Sequence, residues 1–309
     1  MNRGIVTILL FLLIPRAEGQ PAPYRYQLEA GDRYYLSVEL TQETETDNRE
    51  LIEQVSLDIS SRVEMTVTAL TGEGHYQMSC RYTDLELSFF SPGSDLYISS
   101  ENQPFSPLKT YLDALEKQPF TVVMTTRGEI VALDALDSAI HRLQATAYTD
   151  PDDHELITTT IRNAFGEAAF TGMADMALNV LSDTVAAKLT REATVAMGGK
   201  LFRIVNNFYY QPAGDTTFRV QGVGVLRETS NMIRHKAVTY ETTLDGQQTY
   251  DFLRSRETGW MIRGISRQRF RAEYKLTGHK QLPEGLKIPA YTVSEYQFEG
   301  GRTGRKEDP

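Results

Sequence analysis

The chain has 309 residues, a net charge of −9 from 41 acidic and 32 basic side chains, and one cysteine, Cys80. An acidic balance argues against nucleic acid as a partner, because meeting phosphates needs an excess of cations. A single cysteine excludes an intramolecular disulfide, so a packed core has to supply the stability.

The N-terminal stretch MNRGIVTILLFLLIPRAEG has Arg3 in a short basic start, an apolar run from Gly4 to Ile14, and small residues at Ala17 and Gly19. This is the tripartite form of a secretory signal peptide, with cleavage expected just before Gln20. The apolar run is shorter than a bilayer-spanning helix, and no cysteine follows it to carry a lipid anchor. Residues 1–19 are therefore read as a signal peptide. The remainder is expected to be exported, periplasmic or secreted, not a lipoprotein, and without a transmembrane segment. Cleavage removes Arg3, Arg16 and Glu18, moving the charge from −9 to −10.

Residues 20–103 read as a first β-meander. RYYLSVELTQETET alternates at period two, and QVSLDISSRVEMTVTA does so over a longer span. There Val55, Leu57, Ile59, Val63, Met65 and Val67 fall on one side, while Ser56, Asp58, Ser60, Arg62, Glu64 and Thr66 fall on the other. Ser61 is the polar member of the apolar file. The pattern predicts one long, half-buried strand, and such a length predicts a coiled, strongly twisted antiparallel sheet. After the TGEG turn, HYQMSCRYTDLELSFF puts Tyr76, Met78, Cys80 and Tyr82 on one face and then shifts to Leu85, Leu87 and Phe89. That shift predicts a bulge near Tyr82 to Asp84. Cys80 is read as a buried thiol acting as a small hydrophobe.

Residues 104–199 read as a hairpin plus a helical layer. PFSPLKTYLDALEKQ predicts a short helix, PFTVVMTTRGEIVAL a hairpin turning at Arg127 and Gly128, and DALDSAIHRLQATA a helix with Asp134 as its N-cap and Asp137 in its first turn. The stretch from Pro151 to Leu189 predicts further helix, broken at Gly166 and Gly172. It carries an amphipathic face of Ala169, Met173, Met176, Ala177, Val180, Leu181 and Thr184 that has to lie on something apolar. Residues 200–277 read as a second β-meander, and residues 278–309 as a polar tail whose end, EGGRTGRKEDP, is expected to be disordered.

His75, His141, His154, His235 and His279 lack metal-ligand spacing, and no nucleophile elbow or phosphate loop is present. GVGV at Gly222 to Val225 has no following helix and fails the dinucleotide test. Asp84 and Glu86 alternate along a strand, and Asp134 with Asp137 is explained by capping. No catalytic residue, metal or cofactor is assigned. In WMIRGISRQRFRAEYKL, however, Arg263, Arg267, Arg269, Arg271 and Lys275 share one face. They are either paired with acids on a neighbouring strand or form a face for anionic groups.

AGDRYYLSVELTQETETDN from Ala30 and AGDTTFRVQGVGVLRETSN from Ala213 share an opening turn and a following strand, which is compatible with an internal duplication. The fold class that emerges is mainly β (α+β), with long twisted antiparallel strands in one or two half-barrel-like sheets and a central layer of helices. LEAGDRYYLSVELTQ, QPFTVVMTTRGEIVAL and SRETGWMIRGISRQ resemble an exported family of unknown function found in Gram-negative bacteria of the Bacteroides type. That resemblance implies no catalytic residues. The curled sheet with helices on its apolar face is also similar, in fold alone, to carriers that move lipoproteins and glycolipids across the periplasm.

The expected function is non-enzymatic: an apolar small molecule or lipid bound between sheet and helices, lined by Val63, Met65, Val67, Met124, Phe170, Met173 and Met176. The rival is an envelope or surface scaffold with a solid core and a protein partner.

Overall fold

The computed structural model describes residues 24–47, 52–91, 96–100, 107–144, 151–182, 188–197, 200–235, 238–278 and 285–305. The expected signal peptide and the end of the chain from residue 306 lie outside them. In chain order the elements are β1 (Asp32–Asp47), β2 (Ile52–Leu70), β3 (Tyr76–Ser91), β4 (Leu96–Ser99), α1 (Pro107–Leu115), β5 (Pro119–Met124), β6 (Ile130–Asp134), α2 (Leu136–Gln144), α3 (Pro151–Phe165) and α4 (Glu167–Ala177). These are followed by β7 (Lys188–Met197), β8 (Lys200–Pro212), β9 (Thr217–His235), β10 (Val238–Ser255), β11 (Met261–Gly278) and β12 (Lys287–Arg305).

The strands form a single antiparallel sheet in the order β6-β5-β3-β2-β1-β12-β11-β10-β9-β8-β7, with β4 on the β5 side of β3. The sheet is not closed, because β6 and β7 remain its edges. It curls strongly. β2 and β8 are six steps apart in that order, roughly 29 Å if the sheet were flat, yet Ile59 and Ile204 line the same cavity. A half-barrel brings them together, and α4 spans its opening, packing against both β6 and β7.

Period-two burial builds the concave face. Tyr34, Leu36 and Val38 of β1 and Val63, Met65 and Val67 of β2 are buried, and their sequence neighbours face outward. Against this face lie Leu108, Tyr111, Leu112 and Leu115 of α1, Ile140 of α2, Ile161 and Phe165 of α3, and Phe170 and Ala174 of α4. Tyr82 is the hub of their aromatic contacts, 5.3 Å from Phe120 and 5.9 Å from Phe165. Cys80 is buried in the same core, and burial pushes its thiol pKa up.

The expected bulge is present. Asp84 has φ 55, the β2–β3 register slips between Ser60 and Arg62, and the Leu85 amide donates to Glu116 Oε1 at 2.8 Å. The α1 helix, the β5–β6 hairpin with Gly128 at φ 92, and the break at Gly166 also match the sequence pattern.

Several expectations need correction. Asp134 does not cap α2. It is the last residue of β6, and Ala135 accepts the first helical bond from the Ala139 amide. Asp137 instead accepts from the Glu167 amide at 2.9 Å, while Glu167 accepts from the Asp137 amide at 3.3 Å, so α2 and α4 cap each other. Gly172 lies inside α4 and does not break it. Residues 188–197, expected in the helical layer, form edge strand β7.

The segment beyond residue 278, expected as a polar tail, contains β12, which pairs with both β1 and β11 near the middle of the sheet. It reads as polar because its outward file is solvated and its inward file includes Thr292 and Ser294. Its glycines mark close packing: a Cβ on Gly300 would sit 2.7 Å from the Met261 carbonyl. The two Ala-Gly-Asp turns open β1 and precede β9, but the strands that follow share one sheet.

Candidate functional site

Strand register places polar side chains in a transverse row across the concave face. Gln42 of β1 stands opposite Ser294 of β12, Ser294 opposite Gln268 of β11, and Gln268 opposite Gln248 of β10. The row continues through Gly224 of β9 to Asn206 of β8. Each of these polar residues lies in its strand's inward file, because period two turns all of them to the side that carries the core. The belt separates the main core from a second buried cluster of Ile204, Leu226, Leu244, Phe270, Ala272 and Ala290.

Over the belt, α4 and the end of α3 leave a cavity of about 190 Å³. Its roof is Phe170, Met173 and Met176, and its sheet side includes Leu40, Gln42, Ile59, Ser61, Gln248, Tyr250, Gln268 and Tyr296. Gln248, Gln268, Tyr250 and Ile204 are buried at its inner end. Leu40, Leu57, Ile59 and Met173 are only partly buried, and Asn163 and Ala168 are exposed, which places the mouth between α3–α4 and β1–β2.

Among the described residues, no lining residue carries a formal charge at neutral pH. Burial pushes the Tyr296 hydroxyl up to about 12 and the Tyr250 hydroxyl up as well. Both stay protonated at neutral pH.

The belt is unevenly satisfied. Ser294 donates to Gln42 Oε1 at 3.2 Å, and Tyr250 donates to Asn206 Oδ1 at 3.0 Å. Gln248 donates from Nε2 to Ser266 at 3.2 Å, but its Oε1 is buried without a partner. Beside it, Gln268 points its Nε2 at the Met176 sulfur, a weak acceptor, at 3.9 Å.

The inward glycines make room for this arrangement. A Cβ on Gly222 would come within 2.6 Å of Phe208 and 3.0 Å of Tyr250, and one on Gly224 would collide with the Asn206 amide. GVGV thus serves the packing of aromatic and amide side chains over a sharply curved strand.

One end of the half-barrel is closed by a different construction. Arg254 is fully buried and donates from Nη1 to the Tyr26 hydroxyl at 2.9 Å and the Gly259 carbonyl at 3.0 Å, and from Nη2 to the Ala177 carbonyl at the C-terminus of α4. That carbonyl end suits a cation. Tyr26 donates to the Leu178 carbonyl, and Trp260 donates to the Tyr35 carbonyl at 3.0 Å. Arg191 of β7 ties the residues after α4 to the sheet edge through the Asn179 and Leu181 carbonyls.

Of the residues expected to line an apolar site, Phe170, Met173 and Met176 line this cavity. Val63, Met65, Val67 and Met124 are fully buried in the main core, and none is among the cavity's lining residues. Arg263, Arg267, Arg269, Arg271 and Lys275 are exposed on the convex face, on the opposite side of the sheet. There Arg267 meets Glu295 at 2.7 Å, Lys275 meets Glu241 at 3.5 Å, and Arg271 lies over the Tyr291 ring. Arg263 stands opposite Glu299, and Arg269 opposite Val293.

The belt residues Gln42, Asn206, Gln248, Gln268 and Ser294 were missed by sequence reasoning. Their signal is a polar residue at an inward position of a strand, already visible as Ser61 in β2.

Among solved structures, the chain is similar to lipovitellin, described for its lipid–protein interactions, with a TM-score of 0.53 and 11% identity over 92% of this chain. The chain spans about a quarter of lipovitellin's own length, 26%. Matches to the COG4313 outer membrane channel from Pseudomonas putida F1 (TM-score 0.20, 7% identity, 92% of this chain and 100% of that one) and to a DUF1329 family protein from Desulfovibrio piger (TM-score 0.17, 9% identity, 87% and 85%) score too low to indicate a common fold. No curated protein matches. A family model covers residues 73–261, more than half of the chain, and the protein belongs to that family of unknown function, DUF6263.

Proposed function

We propose that this protein is a non-enzymatic binder of an apolar small molecule or lipid, held between α4 and the concave face of the half-barrel. The observation that carries this reading is the cavity of about 190 Å³, which brings both halves of the sheet and a Met-bearing helix around one space. A volume this large exceeds the roughly 150 Å³ of an apolar cavity that takes up benzene. Methionine adapts to ligands of varied shape, and the likeness in fold to lipovitellin supports the same reading. The signal-peptide form of residues 1–19 supports a location outside the cytoplasm, in the periplasm or beyond the cell, where an envelope protein is the partner to look for.

Met173→Trp tests the reading. An indole at this position fills the cavity, so binding of the neutral probe N-phenyl-naphthylamine is expected to disappear with no loss of thermal stability. In a solid scaffold the same change overpacks the core and costs about 1–3 kcal/mol. Reduced stability, with no probe bound by either protein, is the result that favours the scaffold.

A further inference from the structure

We infer that the ligand is a neutral, single-chain amphiphile whose head group carries a hydrogen-bond donor, a hydroxyl or a primary amide, received by Gln248 and Gln268 at the inner end of the cavity. This inference rests on the apolar-ligand reading above and goes further by naming the chemical class.

Among the described residues, the cavity lining holds neither a cation nor an anion. A carboxylate or phosphate drawn to the inner end leaves water without a counter-charge, and a buried unpaired ion is strongly disfavoured. The arginines and lysine of β11 cannot supply that charge, because they face the opposite side of the sheet. A neutral head group escapes the penalty.

Gln248 is 1% exposed and lines the cavity. Its Nε2 is used by Ser266, and its Oε1 has no partner. A buried amide oxygen left unpaired is costly, and a donor placed in the cavity satisfies it. Gln268, its cross-strand neighbour, has only a thioether for its Nε2, so an oxygen near both amides accepts from one and donates to the other. A hydroxyl does both, whereas an ester carbonyl only accepts. The flanking belt residues are already engaged, Gln42 with Ser294 and Asn206 with Tyr250, which confines the recognition point to the central pair.

At about 190 Å³, the cavity lies below the ~300–1,000 Å³ of sites that enclose drug-sized ligands. It takes a head group and the first part of one chain. The rest of that chain leaves through the mouth along Leu40, Leu57, Ile59 and Met173, which are apolar and only partly buried.

The test is displacement of N-phenyl-naphthylamine from the whole protein by three ligands of one chain length, each below its micellar concentration: monodecanoylglycerol, methyl decanoate and decanoate anion. The glycerol ester is expected to displace the probe at about tenfold lower concentration than either of the others, as one satisfied buried polar group implies. Gln248→Leu is expected to remove that preference while the methyl ester competes as before.

Equal competition by all three ligands, or preference for the anion, overturns the assigned class and leaves the apolar-ligand reading standing. An unchanged preference in Gln248→Leu overturns the assignment to this pair. Failure of the wild-type protein to bind the probe or any of the three overturns both readings. Far-ultraviolet circular dichroism and melting of the variant establish that it is folded, and Gln248→Asn, which keeps the amide but shortens it, serves as a second variant expected to retain part of the preference.

Discussion

The closed end of the half-barrel and the amide belt both bury polar groups on the concave side of one sheet, and they do so in opposite ways. At the closed end a full positive charge is buried, yet both terminal nitrogens of Arg254 have partners, and only Nε lacks one. Those partners come from three separate stretches: the segment before β1, the residue ending α4, and the turn before β11. At the belt the groups are neutral amides, but the central one is left half satisfied beside an open volume. A network that engages both terminal nitrogens of a buried cation fixes chain segments in place, whereas an unpaired amide oxygen lining a cavity is a place where a ligand completes the structure. The contrast separates what holds the fold together from what the fold presents.

The largest effect expected from breaking this contrast is at the closed end. Arg254→Met strands two carbonyls and a tyrosine hydroxyl, and is expected to cost about 3 kcal/mol or more, read as a lower midpoint in urea. A loss under about 1 kcal/mol contradicts the view that Arg254 ties these segments together.

The reciprocal caps between α2 and α4 come next. Asp137→Ala and Glu167→Ala are each expected to cost about 1 kcal/mol, and the double variant less than the sum, because both act on one junction. Strict additivity in a double-mutant cycle contradicts the shared arrangement.

The smallest effect sharpens the comparison from the belt side. Gln248→Leu removes an unsatisfied buried amide and is expected to leave stability unchanged within about 0.5 kcal/mol, or to raise it, since replacing an unpaired polar group by an apolar one of similar shape is close to neutral. A large loss in denaturant unfolding shows that the belt is structural after all.

Much of the architecture was legible because period-two alternation is strict where one face is solvated and the other meets helices. β2 shows it over most of its length, and the change of face after Tyr82 located a bulge that the backbone of Asp84 confirms. β12 was not legible for a related reason. Its inward residues include Thr292 and Ser294 and its end is glycine-rich, so its apolar file is broken where the belt crosses it. The same belt hid the inner end of the site. Each amide looks like a local defect in its own strand, and only the register between strands, which alternation does not specify, lines the defects up.

Asp134 illustrates a third limit. An acid before a helix reads as its cap, but the chain turns at Ala135 with φ 78, and the capping contact comes from a helix 30 residues away. The Met-bearing face of α4 was legible in the sequence, whereas Val63, Met65, Val67 and Met124, equally apolar, differ from it by lying in the main core toward the closed end, away from the space under α4.

The central claim is that the space under α4 is a ligand site, and native mass spectrometry of the chain from Gln20 onward, purified without detergent, tests it most directly. The account predicts a fraction of molecules carrying one adduct with the mass of a neutral single-chain lipid, stripped by organic extraction and absent from Met173→Trp prepared in parallel. Bare protein in both preparations, with no adduct regained when monodecanoylglycerol is added, contradicts it.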